Sequence, residues 1–187
     1  ETGVSIMYME KKMDAGAVLA QRAIPITEAD DVGTMFLKLS ELGKNLLIDT
    51  LPDFFQGKLV PQEQDESAAT FSPNIKREEE RIDWSKTAAQ VACQVRGMRP
   101  WPVAHTLLDG QRIKVWAGQA VELTTNDEPG TVFATDKEAL YVACGEGTVF
   151  KMTELQPAGK KRMSAADYLR GSACEIQEGT RFDTDGQ

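Results

Sequence analysis

Two sets of residues in this sequence have the types and the setting to take part in chemistry. The first is Asp14, a carboxylate that follows a strand-like segment and stands two residues before Gly16. The second is Lys160-Lys161-Arg162, three consecutive cations in a chain of net charge −8. A carboxylate on a loop at a strand end can orient a base or stabilise a cation if it has a partner. Cations on a turn can bind an anion.

Each set also has a plainer interpretation. Aspartate is favoured in turns because its side chain bonds its own backbone, and the spacing around Asp14 is typical of such a turn. A run of charges is usually a solvated surface. Pro157 and Gly159 predict a turn just before the cations, and Ser164 stands three residues ahead of Asp167, which predicts a helix start. The cations are therefore expected on a defined turn beside a helix, which favours an anion-binding role.

The distribution of charge restricts that role to a local patch in the second half of the chain. Residues 151–170 contain 5 Lys or Arg and 2 Asp or Glu, whereas residues 1–79 contain 8 and 14. The negative total argues against a generic nucleic-acid binder.

Other candidate groups carry weaker signals. The only histidine, His105, falls on a predicted strand and is interpreted as a packing or surface residue. Gly145-Glu146-Gly147 is a weak match to a phosphate loop and is interpreted as a hairpin. Cys93, Cys144 and Cys174 lack metal-ligand spacing, so we predict free thiols in a reducing cytosol and no metal site. No apolar run is long enough to span a membrane.

The elements that would hold Asp14 are two strands and a long helix. Residues 4–9 and 17–26 predict strands, with Asp14 between them. Asp30 or Asp31 can cap a helix whose apolar residues recur at three- and four-residue spacing as far as Gly57. Two strands are too little sheet for such a helix. Residues 1–60 are therefore predicted to be the C-terminal end of a larger α/β domain, and residues 61–79 a linker rich in proline, glutamine and charge.

A second domain, residues 80–187, is predicted to carry the cations. Ser85 can cap a helix that ends near Gly97, and Pro100 and Pro102 then exclude helix and central strand. Trp84 and Trp101 flank this helix and are interpreted as core or hinge residues rather than as base-stacking platforms. Short strands separated by turns follow, with Asp109-Gly110 the strongest hairpin signal. This spacing predicts a small barrel or sandwich, with strands at residues 103–108, 113–117, 120–123, 131–134, 140–143 and 149–155.

These segments together resemble bacterial methionyl-tRNA formyltransferase. The matching segments are residues 1–7, 13–16, 81–85, 99–102 and 155–164, in the family's order and spacing. The Asp-x-Gly and Trp-Pro motifs are shared with other formyltetrahydrofolate enzymes, such as formyltetrahydrofolate dehydrogenase and the aminosugar formyltransferases. The block Gln156-Pro157-Ala158-Gly159-Lys160-Lys161 is more specific to the tRNA enzyme.

The resemblance implies a cytoplasmic enzyme of translation initiation. Its fold would be an α/β remnant, the end of a Rossmann-like formyltransferase domain, followed by a mainly β, OB-like barrel with short helices. The reaction would transfer a formyl group from 10-formyltetrahydrofolate to the amino group of methionyl initiator tRNA. By motif match Asp14 is the family's catalytic Asp, which orients a His. The parent is expected to be monomeric, with no metal and no DNA or membrane partner. The implied tRNA contacts are Lys160, Lys161 and Arg162, with Lys151, Arg96, Arg99, Lys76 and Arg77 as weaker candidates.

Two departures from the family lead to further expectations. The family's Asn, His and Ser-Leu-Leu-Pro segment have no counterpart in these residues, so we expect the chain alone to be inactive. Residues 80–187 carry 13 Lys or Arg against 15 Asp or Glu, so tRNA binding should rest on a local patch. Two alternatives remain open. One is a truncated formyltransferase for an aminosugar nucleotide, and the other is a non-enzymatic nucleic-acid-binding barrel with an N-terminal dimerisation segment.

Overall fold

The computed structural model describes residues 1–171 and 174–183, and the chain forms two compact units. The first is Glu1–Asn74, and the second begins at Ile75. The predicted linker, residues 61–79, spans this division. Its first part pairs with a strand of the first unit, because Val18 and Gln62 exchange two backbone hydrogen bonds of 2.8 and 2.9 Å. Within the described ranges, every helix is too short or too polar to cross a bilayer.

The first unit contains the predicted two strands and helix. Strand β1 (Thr2–Met7) pairs antiparallel with β2 (Val18–Ile24), and helix α1 (Val32–Phe55) follows. The helix begins where the sequence predicted, since Asp31 accepts a 2.8 Å hydrogen bond from the Thr34 amide and donates its own amide to the Thr34 hydroxyl. This reciprocal cap satisfies amides that the first helical turn leaves without partners.

Helix α1 packs only part of its apolar surface on the hairpin. Met35 and Leu46 are buried, while Phe36, Leu37 and Phe55 are largely exposed. A two-stranded sheet is narrower than the apolar stripe of a 24-residue helix, so the remainder of the stripe stays in solvent.

The second unit is mainly β, as predicted. Its antiparallel sheet has the order β3-β4-β7-β6-β5, with the short β8 paired to one end of β7. The elements are β3 (His105–Leu108), β4 (Gln111–Thr124), β5 (Val132–Thr135), β6 (Leu140–Ala143), β7 (Thr148–Pro157) and β8 (Met163–Ser164), with helices α2 (Ala88–Gly97) and α3 (Ala165–Arg170). In the described residues, no pairing between the outer strands β3 and β5 closes this sheet into a barrel.

Two local predictions are corrected. Residues 113–117 and 120–123 belong to one strand, β4, because its pairing with β7 continues through an irregularity at Ala117 and Gly118. Helix α2 is capped by Thr87 rather than Ser85, since the Ser85 hydroxyl donates to the Asp83 carboxylate instead. The predicted hairpin at Asp109-Gly110 and the predicted cap at Ser164 are confirmed.

The two tryptophans that flank α2 have opposite environments. Trp84 is 1% exposed, lies against Phe150 and Phe182, and donates its indole N–H to Thr106 at 3.0 Å. Trp101 is 79% exposed, so its prediction as a core residue is wrong. The reason is the loop after α2. The Val103 amide donates a 2.9 Å hydrogen bond to the Met98 carbonyl and closes this loop. Met98 and Val103 are both buried, so the two ends of the loop are anchored in the core while Trp101, between them, is in solvent.

Candidate functional site

Asp14 stands on the loop between β1 and β2, with its backbone in the left-handed region at φ 56°. The side-chain amide of Gln64 donates to the carbonyl oxygens of Asp14, at 2.9 Å, and Gly16, at 2.7 Å. On the other side, a Cβ at Gly16 would lie 1.8 Å from the carbonyl oxygen of Tyr8, so only glycine fits. The loop is therefore held from two directions, while the Asp14 side chain is exposed.

A cleft of about 980 Å³ opens beside this loop within the first unit. Asp14, Glu63 and Asp65 line it. Among the described lining residues the one cation is Lys12, which is paired with Glu66 at 3.0 Å. Carboxylates thus outnumber cations around Asp14. The cleft is electrostatically suited to an amine or a neutral polar group rather than to a polyanion.

His105 is a structural residue of the second unit. It is 5% exposed, its backbone amide donates to Glu80 at 2.9 Å, and its carbonyl accepts from Ile82 at 2.8 Å. Burial lowers the pKa of His105, and the nearby charge of Arg112 lowers it further, so the ring is neutral at pH 7. The packing interpretation made from the sequence is confirmed.

The predicted cationic turn follows β7 and is held by the side chain of Gln156. Gly159 has φ 71°, the Lys160 amide donates to the Pro157 carbonyl at 3.1 Å, and the side-chain amide of Gln156 donates to the Lys160 carbonyl at 2.9 Å. Lys160 and Lys161 are exposed. The turn therefore presents two lysine side chains on a fixed backbone.

Arg162 is placed differently from the two lysines. Its Nε donates to Glu154 at 2.9 Å, and its guanidinium lies 4.7 Å from the ring centroid of Trp116. The Trp116 indole N–H in turn donates to Gln156 at 3.0 Å. Glu154 offsets part of the Arg162 charge, and the arginine helps to fix the turn that carries the lysines.

The other predicted cations do not share one location. Arg99 donates to the Trp116 carbonyl at 3.4 Å and so adjoins the turn, while Arg96, in the last turn of α2, contacts Cys93. Lys151 is opposite Tyr141 in the pairing of β7 with β6, and its ammonium group lies 5.7 Å from the centroid of the Tyr141 ring. Lys76 and Arg77 lie at a turn with three neighbouring glutamates, and this turn is tied to α2 by Gln94. The three glutamates outnumber the two cations in that turn, which weakens its attraction for phosphate.

Two cations that sequence reasoning missed join the turn. In β4, Ile113 and Val115 are buried, so Arg112, Lys114 and Trp116 point to the opposite, outer face. Lys114 is directly opposite Gln156 on β7. The alternation around the predicted strand 113–117 was a signal that could have found them. We call the resulting set the basic surface: Arg99, Arg112, Lys114, Lys160, Lys161 and Arg162.

The cysteines and the acidic residues form no further site in the described part of the chain. Cys93, Cys144 and Cys174 are free thiols, as predicted, and burial raises the pKa of Cys144 to about 12. Within that part, no group of three His, Cys, Asp or Glu side chains could hold a metal ion.

Two family models match the chain. The formyl transferase model matches residues 1–51, and the formyl transferase C-terminal domain model matches residues 74–173, just over half of the chain. The chain belongs to the formyl transferase family. Asp14 lies within the first match, and Lys160, Lys161 and Arg162 lie within the second.

Relatives in this family are similar over nearly the whole chain. The methionyl-tRNA formyltransferase of Enterococcus faecalis is 55% identical over 98% of this chain and 58% of its own length. That of Bacillus subtilis is 49% identical over 94% of this chain and 55% of its own length. The chain thus spans just over half the length of the curated relatives it matches.

A solved structure has the same fold. HypX from Aquifex aeolicus, in complex with tetrahydrofolic acid, superposes with a TM-score of 0.67 and 21% identity, covering 94% of this chain and 31% of that chain. At this identity the likeness concerns the fold alone.

Proposed function

We propose that this chain serves as part of a methionyl-tRNA formyltransferase. The observation that supports this proposal most strongly is the identity of 55%, over 98% of the chain, to an enzyme of that name. The aminosugar alternative is not favoured, because relatives at about 50% identity are named as tRNA enzymes. The proposal includes initiator tRNA rather than DNA as partner, a monomeric parent and a cytoplasmic location.

The reaction proposed is formyl transfer from 10-formyltetrahydrofolate to the methionine amino group. A bond forms between the amino nitrogen and the formyl carbon, the bond between that carbon and N10 of the donor breaks, and the proton lost by the amine passes to N10. The acidic cleft beside Asp14 supports this assignment, since carboxylates favour an amine. Asp14 would orient the group that removes the proton and would stabilise the positive charge that this group then carries.

The basic surface is proposed to position the tRNA. Cations that neutralise phosphates fix orientation without reading sequence, and A-form grooves hide base edges from side chains. Lys160 and Lys161 are the strongest members because they are exposed on a fixed turn, whereas Arg162 is paired with Glu154. Lys151, Arg96, Lys76 and Arg77 remain weaker proposed contacts.

The proposal also covers the finer architecture. Residues 1–60 are assigned as the end of a Rossmann-like domain, 61–79 as a linker and 80–187 as an OB-like domain. Family matches at residues 1–51 and 74–173 support this division.

A chimera tests the function. This chain would replace the matching segment of the Enterococcus faecalis relative, so that the relative supplies the part that the chain does not match. We expect formylation of methionyl-tRNA with 10-formyltetrahydrofolate, and Asp14→Asn should lower kcat by about 10²- to 10⁴-fold. Asp65→Asn, in the same cleft, is the matched control and should stay active.

The outcomes separate the two parts of the proposal. An inactive chimera, or one that formylates an aminosugar nucleotide instead, contradicts the assigned reaction. An active chimera whose Asp14→Asn variant keeps its kcat contradicts the role of Asp14 alone.

A further inference from the structure

Trp101 is a large aromatic side chain whose ring the rest of the described chain leaves open. The residue is 79% exposed, whereas Trp84 is buried and Trp116 contacts Arg162. Among the described residues, no hydrogen bond or ring contact involves Trp101. An exposed indole of this kind is well suited to bind a flat partner on its face.

The loop that carries Trp101 is held in place. A hydrogen bond of 2.9 Å from Val103 to Met98 closes it, and both anchor residues are buried. Pro100 and Pro102 flank the ring and restrict their own φ angles to a narrow range. The ring is therefore presented from a restrained backbone, which reduces the entropy lost when a ligand binds.

Positive charge borders this loop. Arg99, two residues before Trp101, donates to the Trp116 carbonyl, and the Trp116 ring contacts Arg162. Lys114 lies on the same outer face as Trp116 and is opposite Gln156, whose amide holds the Lys160 carbonyl. A continuous series of contacts thus links the Trp101 loop to the basic surface. Interface cores between proteins are depleted in charged residues, so this setting favours a polyanion over an apolar protein partner.

We infer that Trp101 stacks on an unpaired base of the RNA whose phosphates bind the basic surface. Stacking on an aromatic ring needs an open base face, which a base inside a duplex does not offer. The combination of aromatic ring and cationic groove is how single-stranded nucleic acid is bound without sequence readout. This inference rests on the proposed function, which makes tRNA the ligand.

The test uses the full chain with deacylated initiator tRNA and with a blunt RNA duplex. Trp101→Ala should weaken tRNA binding about tenfold, while Trp101→Phe should keep most of the affinity because phenyl rings also stack. The salt dependence of binding should stay unchanged in both variants, since stacking releases no counterions. Tryptophan fluorescence should be quenched by tRNA in the wild-type chain and much less in Trp101→Phe. Duplex binding should be insensitive to either substitution.

Each contrary result has a distinct meaning. If the wild-type chain binds tRNA in a salt-dependent way and Trp101→Ala binds equally well, the stacking role is overturned and the proposed function stands. An equal loss on the duplex also overturns it. A change in the sedimentation of the free Trp101→Ala chain would assign the ring to self-association and overturn the inference. If the wild-type chain shows no salt-dependent tRNA binding, the proposed tRNA role fails together with the inference. Unchanged thermal unfolding of the variants is the folding control.

Discussion

The side-chain amide of Gln64 donates a 2.9 Å hydrogen bond to the backbone carbonyl of Asp14, across fifty residues of sequence. The same amide nitrogen donates to Gly16 at 2.7 Å. One side chain therefore connects the segment after α1 to the loop that presents the candidate catalytic carboxylate. Because the Asp14 side chain is itself exposed, its direction depends on this backbone attachment.

Gln64→Ala in the chimera should lower the kcat of formylation by roughly 10- to 100-fold, because a displacement of about 1 Å at a catalytic group can cost that much. Gln64→Glu keeps the size of the side chain but has no N–H donor, so it should behave like the alanine variant. Gln21→Ala is the matched control. Gln21 lines the same cleft but donates to Ser5, so this variant should keep its kcat. Equal losses in the Gln64 and Gln21 variants would show a general effect on the unit rather than on Asp14.

Lys160→Ala with Lys161→Ala should weaken tRNA binding and make it less dependent on salt. Both side chains are exposed on a fixed turn, so each can neutralise a phosphate. The slope of log affinity against log salt should fall by about 1 for each phosphate that is no longer neutralised. Filter binding at several salt concentrations measures it. Lys137→Ala removes an exposed cation far along the sheet order, on the β5–β6 turn, and should leave the slope unchanged. A double variant with the wild-type slope would exclude the two lysines from the interface.

Glu154→Gln should strengthen tRNA binding. Glu154 holds Arg162 through two hydrogen bonds and offsets its charge at the edge of the basic surface. Without that charge, the arginine still stacks on Trp116 but has its full attraction for phosphate. We expect an affinity gain of about twofold to fivefold at low salt and a steeper salt dependence. Glu146→Gln makes the same change in net charge on the β6–β7 turn and serves as the control. A weaker complex in Glu154→Gln would mean that the ion pair is needed to shape the turn.

The sequence predicted what depends on neighbouring residues. The cap at Asp31, the hairpin at Asp109-Gly110 and the cap at Ser164 each follow from groups within about four residues of one another, so local chemistry determines them. Asp14 and the lysine turn could be named as candidates for the same reason, since their motifs are short.

What the sequence did not reveal depends on contacts between distant segments. Arg112 and Lys114 join the turn only because β4 pairs with β7 in a register that sets Lys114 against Gln156. The contact from Gln64 to Asp14 is equally non-local. Tryptophan is a residue type that often lies in a core. Trp101 is exposed because the loop that carries it is anchored by the buried residues Met98 and Val103, which are distant from it in neither sequence nor space but are fixed by the packing of the whole unit.

Asp30 should make the stability of the first unit depend on pH. This carboxylate accepts hydrogen bonds from Lys38 and from the amide and hydroxyl of Thr27, which hold its pKa well below the usual aspartate range.

The folded state therefore binds the Asp30 proton more weakly than the unfolded chain. Its contribution to the free energy of unfolding is fully present above the ordinary aspartate pKa of about 3.9 and is lost as the pH falls through the lower folded-state value. Asp30→Asn should speed amide hydrogen exchange in α1 at pH 7, and its difference from wild type should shrink in acid. Asp53→Asn, in an exposed pair with Lys58 at 3.9 Å, should change exchange little at any pH. A difference for Asp30→Asn that stays constant from neutral pH into acid would show that the altered side-chain geometry, and not the carboxylate charge, holds the start of α1.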